Sequence, residues 1–161
     1  MPNIEHTEKI NATFLTVWKL MLDKIEHPSN YTPGVSNVVL VENTSEYIIR
    51  EMTLGDLGSI RERITWDDDD SPGIGKVTYI LEKHPKYKGE VVNWVRRAKD
   101  DPKQTELEYQ IRWEPLDGHS EADQEQLFRQ QLAQAVQIVK RIAEHMAGTN
   151  PITPPAGQGQ K

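Results

Sequence analysis

The two side chains best placed to do chemistry together are Arg50 and Glu62, which flank Gly55-Asp-Leu-Gly58, a run with the composition of a tight turn. With Leu54 set opposite Gly58 in an antiparallel hairpin, Met52 faces Ile60, Arg50 faces Glu62 and Ile48 faces Ile64. Alternate residues share a face, so both charges would stand among apolar neighbours. An unpaired ion is costly to bury, and the register therefore predicts a buried ion pair. Such a pair has two uses. It can pin strand register, or it can anchor a ligand carboxylate, carbonyl or hydroxyl at the end of an apolar pocket. A slip of one residue would put both charges in water and remove either use.

Other chemistry is poorly supported. His6, His27, His84, His119 and His145 lack metal-ligand spacing and fall at turns or element ends, as surface histidines do. Asp67–Asp70 with Ser71 and Gly73 lacks the alternating ligands and closing glutamate of a calcium loop, so it reads as an acidic turn. Gly73-Ile-Gly75 is too short for a phosphate fingerprint, and no nucleophile elbow is present. With no cysteine, there is no disulfide, thiolate ligand or cysteine nucleophile. Neither a metal nor a cofactor is expected.

The elements that must position Arg50 and Glu62 follow from periodicity. A weakly patterned strand over 4–10 leads through Asn11-Ala-Thr into a helix ending near Glu26, where His27-Pro28 stops it. Phe14, Val17, Trp18, Met21, Leu22 and Ile25 give that helix its apolar face. From Gly34 to Glu114 the period is two, with strands near 35–42, 46–54, 58–67, 75–82, 88–98 and 105–114 joined by short polar turns. That is an antiparallel meander. A last helix runs from about Ser120 to Met146, with Phe128, Leu132, Ala135, Val139, Ile142 and Met146 in one stripe. Ser120 with Asp123 suggests a capping box, and Gly148 a left-handed C-cap. At 1.5 Å per residue such a helix is roughly 40 Å long, the span of a small domain. Residues 1–147 form one domain, and the proline-rich stretch 148–161 reads as a disordered tail.

Alternation sends Ile48, Met52, Ile60, Ile64 and Trp66 inward with the charged pair, along with Val77, Tyr79 and Leu81. Leu107, Tyr109, Ile111 and Trp113 follow on the last strand. The outer face of the first two long strands carries Val39, Val41, Tyr47 and Ile49, which implies either an inverted assignment there or a homodimer contact.

Charge and hydropathy narrow the partners. The chain carries −6 overall, with nine acids against three arginines over 42–70 and eight Lys/Arg against four acids over 76–103. Neighbouring hairpins with complementary rims explain this. Lys86-Tyr-Lys88 and Trp94-Val-Arg-Arg97 mix bases with aromatics, but Arg96 and Arg97 point to opposite faces and the chain is acidic, so nucleic acid is not expected. No apolar run approaches the ~20 residues of a membrane span, and no signal-peptide core is seen. A cytoplasmic location without membrane insertion is the expectation.

Ile10-Asn-Ala-Thr13 followed by Val17-Trp18-Lys19-Leu20, with re-entry at Tyr31-Thr-Pro-Gly-Val35, resembles the START-like (SRPBCC) superfamily, to which the birch pollen allergens belong. Arg50, Glu62 within Ile60-Arg-Glu-Arg-Ile64, and Tyr109-Gln-Ile-Arg-Trp113 make it most similar to the AtaL-like group, over about residues 4–147. The resemblance implies an α+β helix-grip fold: a curved six- or seven-stranded antiparallel sheet around a long C-terminal helix, with a short N-terminal helix. It implies a cavity between sheet and helix for a small hydrophobic molecule, such as a lipid, sterol, polyketide-like or aromatic metabolite. Arg50, Glu62, Ile48, Met52, Ile64, Trp66, Tyr79, Tyr109 and Trp113 would line it, with Phe128, Leu132 and Val139 from the helix. Binding with no catalysis, or only weak catalysis, is the leading expectation. Alternatives are a cyclase- or dehydratase-like enzyme using Glu62 as acid or base, and a protein-interaction module using the outer face.

Overall fold

A computed structural model describes residues 3–118 and 122–148. Its strands are β1 (Asn3–Ile10), β2 (Val35–Asn43), β3 (Ile48–Leu54), β4 (Ser59–Asp69), β5 (Ile74–Lys83), β6 (Tyr87–Arg97) and β7 (Thr105–Pro115). Helix α1 spans Phe14–Glu26 and α2 spans Ala122–Gly148. The strands make one seven-stranded antiparallel sheet in the order β1-β7-β6-β5-β4-β3-β2. Six strands follow one another as a meander, and β1 closes onto β7. This is the helix-grip architecture.

Thr13 caps α1, its hydroxyl accepting from the Thr16 N–H at 3.4 Å. The cap is held down because Thr105 Oγ1 donates to Ala12 O at 2.7 Å. Pro28 ends the helix as its sequence requires. Trp18 lies flat over the sheet at Gly75, where an added Cβ would come within 2.6 Å of the indole. Only glycine admits that approach, and it lets α1 sit directly on β5, β6 and β7. The hairpin η-turn Gly55–Leu57 is closed by the Leu54 N–H donating to Gly58 O at 3.0 Å, which sets the β3–β4 register.

α2 packs mainly on β1, with α1 and β7 next. The long helix therefore shares the concave face with α1 and does not alone cover it. Its stripe is partly as read: Phe128, Leu132, Ala135 and Val139 are buried, but toward the C-terminus Val136 and Ala143 take over, Ile142 is half-buried and Met146 is exposed. The buried face is thus wider than a single line of side chains, with Val136 and Ala143 fully covered beside it. Gly148 is the last helical residue with no left-handed angle, so no glycine C-cap forms there. Ser120 and the segment beyond Gly148 lie outside the described residues.

The outer face of β2 and β3 resolves in two parts. Ile49 is 2% exposed although it points outward. It is paired with Glu42 and Arg63, and Tyr47 ties these together: its hydroxyl donates to Glu42 at 2.6 Å, and Arg63 stacks on its ring at 4.0 Å. Val39 and Val41 stay 54% and 43% exposed on the edge strand. That edge is interrupted by register shifts at Ser36/Val39 and Leu40/Glu42, with Asn37 at φ 53°, irregularities that hinder pairing with another strand. The basic stretch pairs chiefly with β7 rather than with the acidic hairpin: Arg96 meets Glu108 at 2.9 Å and Lys88 meets Glu114 at 3.8 Å.

Candidate functional site

The hairpin register is the one counted from the turn: Arg50 opposite Glu62, between Met52–Ile60 and Ile48–Ile64. Arg50 Nη2 donates to Glu62 Oε1 at 2.7 Å, with the two residues 2% and 4% exposed. The rest of the guanidinium is used by α1. Nη1 donates to Lys24 O at 3.2 Å and Ile25 O at 2.9 Å, two carbonyls of the final turn that have no partner within the helix. A cation at this end also meets the negative pole of the helix dipole. Arg50 thus joins sheet to helix as well as strand to strand.

Beside this pair lies a buried lysine. Lys24 Nζ donates to Asn93 Oδ1 at 2.9 Å and sits 4.1 Å from the Tyr109 ring centroid and 5.3 Å from that of Tyr79. Two π-faces and one amide oxygen replace its water, so its stem and head are both enclosed. Burial, reinforced by the Arg50 charge and opposed by Glu62, pulls its pKa down to about 7. Burial likewise pushes the Tyr79 and Tyr109 hydroxyls upward, keeping both protonated.

Three atoms in this cluster are buried without a hydrogen-bond partner: Arg50 Nε, Tyr79 Oη and Asn93 Nδ2. All three carry a proton to give. Leaving such donors bare costs about 1–3 kcal/mol each, so a complementary acceptor at this place gains more than it would elsewhere. The neighbours in register are apolar and incompletely covered. Leu40 opposite Arg50, Leu81 opposite Glu62 and Val91 opposite Tyr79 are inward-facing yet only half-buried. The polar cluster therefore borders a part of the concave face that the helices leave accessible.

A second group occupies the far end of the same face. Trp113, Tyr87, His84 and Phe128 form a cluster with ring centroids 5.2–5.5 Å apart. Gly89 stands opposite Trp113 at φ 121°, where a Cβ would collide with the Arg112 carbonyl. His84 is buried here, correcting its reading as a surface residue. Its Nδ1 accepts from the Lys86 and Tyr87 N–H groups at 3.0 and 3.1 Å, and burial lowers its pKa.

The expected lining residues thus divide. Arg50, Glu62, Ile48, Met52, Ile64 and Tyr79 share one patch, and Tyr109 joins it through Lys24. Trp113 and Phe128 belong to the aromatic end, and Leu132 and Val139 to the packed core. Trp66, paired with Val77, is only partly buried. Lys24 and Asn93 were missed. Lys24 stands three residues after Met21 on the apolar side of α1, the one positional hint it offered. Asn93 stands in register with Val77 and Tyr109, an interior row that alternation alone would have marked. Among the described residues no cluster of His, Asp and Glu could hold a metal ion, and no helix is long and apolar enough to cross a membrane.

The profile of the Acetylaranotin biosynthesis cluster protein L family, AtaL, matches residues 4–147. The chain belongs to the AtaL family. No curated protein matches it. This AtaL-family chain is similar to solved structures of the same fold. XoxI from Bacillus cereus superposes with a TM-score of 0.71 at 15% identity, covering 91% of this chain and 99% of that one. A START superfamily protein from Mycobacterium smegmatis gives 0.68 at 11% identity, over 89% and 98% of the two chains. The Zhui aromatase/cyclase from a Streptomyces species gives 0.60 at 14% identity, over 91% and 93%. At these identities the likeness is one of fold: this AtaL-family member shares the helix-grip fold of a START superfamily protein and of an aromatase/cyclase.

Proposed function

We propose that this protein binds a small hydrophobic molecule, lipid-like, polyketide-like or aromatic, against the inner face of β3–β6. The ligand's carbonyl, carboxylate or hydroxyl oxygen would lie at Arg50 and Tyr79. The observation that carries this reading is the set of adjacent buried donors without partners, Arg50 Nε, Tyr79 Oη and Asn93 Nδ2, beside half-covered Leu40, Leu81 and Val91. Apolar pockets orient ligands with just such a small number of placed polar groups. A family described by a biosynthesis cluster, and a fold shared with an aromatase/cyclase, favour a biosynthetic intermediate over a storage lipid.

Native mass spectrometry of freshly purified protein is the direct test, with a co-purified small molecule expected. A ligand found this way should raise the melting temperature, and Arg50→Ala should lose more of that rise than Glu62→Gln. Equal rises in wild type and Arg50→Ala would sink the proposed anchor.

A second reading is catalytic. Glu62 is a buried carboxylate on the strand beside Tyr79, and a carboxylate and a phenol within one apolar site are the groups a cyclase- or dehydratase-type proton transfer needs. Under it, Glu62→Gln abolishes turnover of the identified ligand while binding persists. Turnover that survives the substitution excludes it.

A further inference from the structure

Lys24 has no part in the binding reading above, and its surroundings suit a different task. Lysine is seldom placed where its ammonium is out of reach of water, and the usual remedy is a carboxylate in direct contact. Lys24 lacks one among the described residues: its ammonium donates to the neutral Asn93 Oδ1 and lies against two tyrosine faces. Of the charges that act on it, the like charge of the Arg50 guanidinium outweighs Glu62, which is already held by Arg50. Desolvation and a neighbouring cation are the two means by which an amine is kept unprotonated and nucleophilic.

We propose that Lys24 is the nucleophile of a covalent site, forming an imine with an aldehyde or ketone group of the ligand held against β3–β6. In that step the Nζ lone pair attacks the carbonyl carbon, a C–N bond forms, and the carbonyl oxygen takes up a proton. Loss of that oxygen as water, with the second amine proton, leaves the C=N bond. No oxidant or reductant is required, and water is the only product released.

Tyr79 is the residue placed to assist. Its ring lies 5.3 Å from the amine, its hydroxyl is buried without a partner, and burial keeps that hydroxyl protonated. It can give a proton to the carbonyl oxygen as the C–N bond forms. Asn93 holds the amine through Oδ1 and leaves Nδ2 free for the same oxygen. The charged and titratable groups facing Lys24 come from β3 (Arg50), β4 (Glu62), β5 (Tyr79) and β7 (Tyr109). This site is a deepening of the binding reading and depends on it, since a carbonyl must first enter the interior.

The test is reductive trapping of the full chain with 2-naphthaldehyde and cyanoborohydride at pH 7.5, read by intact mass and peptide mapping. The expected result is a single naphthylmethyl group at Lys24, formed at least about tenfold faster than at any other lysine, because surface amines are almost wholly protonated there. The rate at Lys24 should level off above pH 8, whereas that at surface lysines keeps rising. Mapping separates Lys24 from the N-terminal amine. Lys24→Met should lose the adduct and Tyr79→Phe should slow its formation; if Lys24→Met does not fold, the wild-type map alone decides the site. 2-Naphthalenemethanol, which cannot form an imine, reports binding separately through the melting temperature. If it stabilises the protein while the aldehyde labels surface lysines or nothing, the covalent inference is wrong and the binding reading stands. If neither compound stabilises and no adduct forms at Lys24, the covalent inference is overturned and an aromatic ligand is disfavoured as well.

Discussion

Two ion pairs one register step apart on the same hairpin face opposite ways. Arg50 and Glu62 meet inside at 2.7 Å; Glu51 and Arg61, the next pair along, meet outside at 3.0 Å, where Arg61 also reaches Glu82 at 3.1 Å. By residue type and distance they are nearly the same interaction. Water separates them. The outer side chains keep about a third of their surface accessible, so their attraction is screened and their loss is made good by solvent. The inner pair has no such replacement, and each partner left alone is a buried charge. The inner arginine also holds the end of α1, which the outer one does not. A buried charge is thus worth what its removal leaves behind.

The sharpest way to break the contrast is Arg50→Met. It strands Glu62 and uncovers the Lys24 and Ile25 carbonyls, and urea unfolding should show a loss of about 3–5 kcal/mol. Adding Glu62→Leu should restore part of this, because an apolar pair of similar volume avoids the desolvation cost, but not the share owed to the helix end. Full recovery would mean that the contact to α1 contributes nothing.

Lys24 gives the next largest effect, and its sign is set by its depressed pKa of about 7. Between pH 7 and the unfolded value near 10.5, the unfolded chain binds the proton and the folded chain does not, so stability rises with pH. Below pH 7 both states are protonated, and the full cost of the buried charge is present. The slope approaches ~1.4 kcal/mol per pH unit. Lys24→Met should abolish it over pH 7–9.5, measured as the pH dependence of urea midpoints against wild type. Parallel curves for the two proteins would show that Lys24 titrates as an ordinary lysine.

Tyr79→Phe tests the unpartnered hydroxyl. The ring contacts survive, so ligand-free stability should be unchanged or higher by up to about 1 kcal/mol. The thermal shift given by a bound ligand should nevertheless shrink. Arg61→Ala is the smallest perturbation: its melting temperature should lie within the scatter of wild type, and any difference should vanish in 1 M salt. A large, salt-insensitive loss would remove the distinction between the two faces.

Much of this was legible in the sequence because it follows from short-range counting. Strand period, the glycines at 55 and 58 and the proline at 28 act within a few residues, so the meander, the α1 stop and the Arg50–Glu62 register could be read before any fold was known. The apolar stripe of α2 was right where it meets Tyr87, Trp113 and the core, and wrong past Val139, where the surface under the helix changes. His84 was read as solvent-facing, and Lys24 was not singled out at all, because both residue types ordinarily face water. Which end of α1 comes to rest on β3, and hence whether position 24 meets water or two tyrosine rings, depends on elements 26 and more residues apart. Local pattern carries no information at that range. The sequence by itself determined the meander of the strands after Gly34, the register of the β3–β4 hairpin and the polar pair on its inner face. Tertiary packing decided that the end of α1, rather than α2, lies over that pair, and that a lysine is enclosed beside it, because burial belongs to the assembled surfaces and not to the residue.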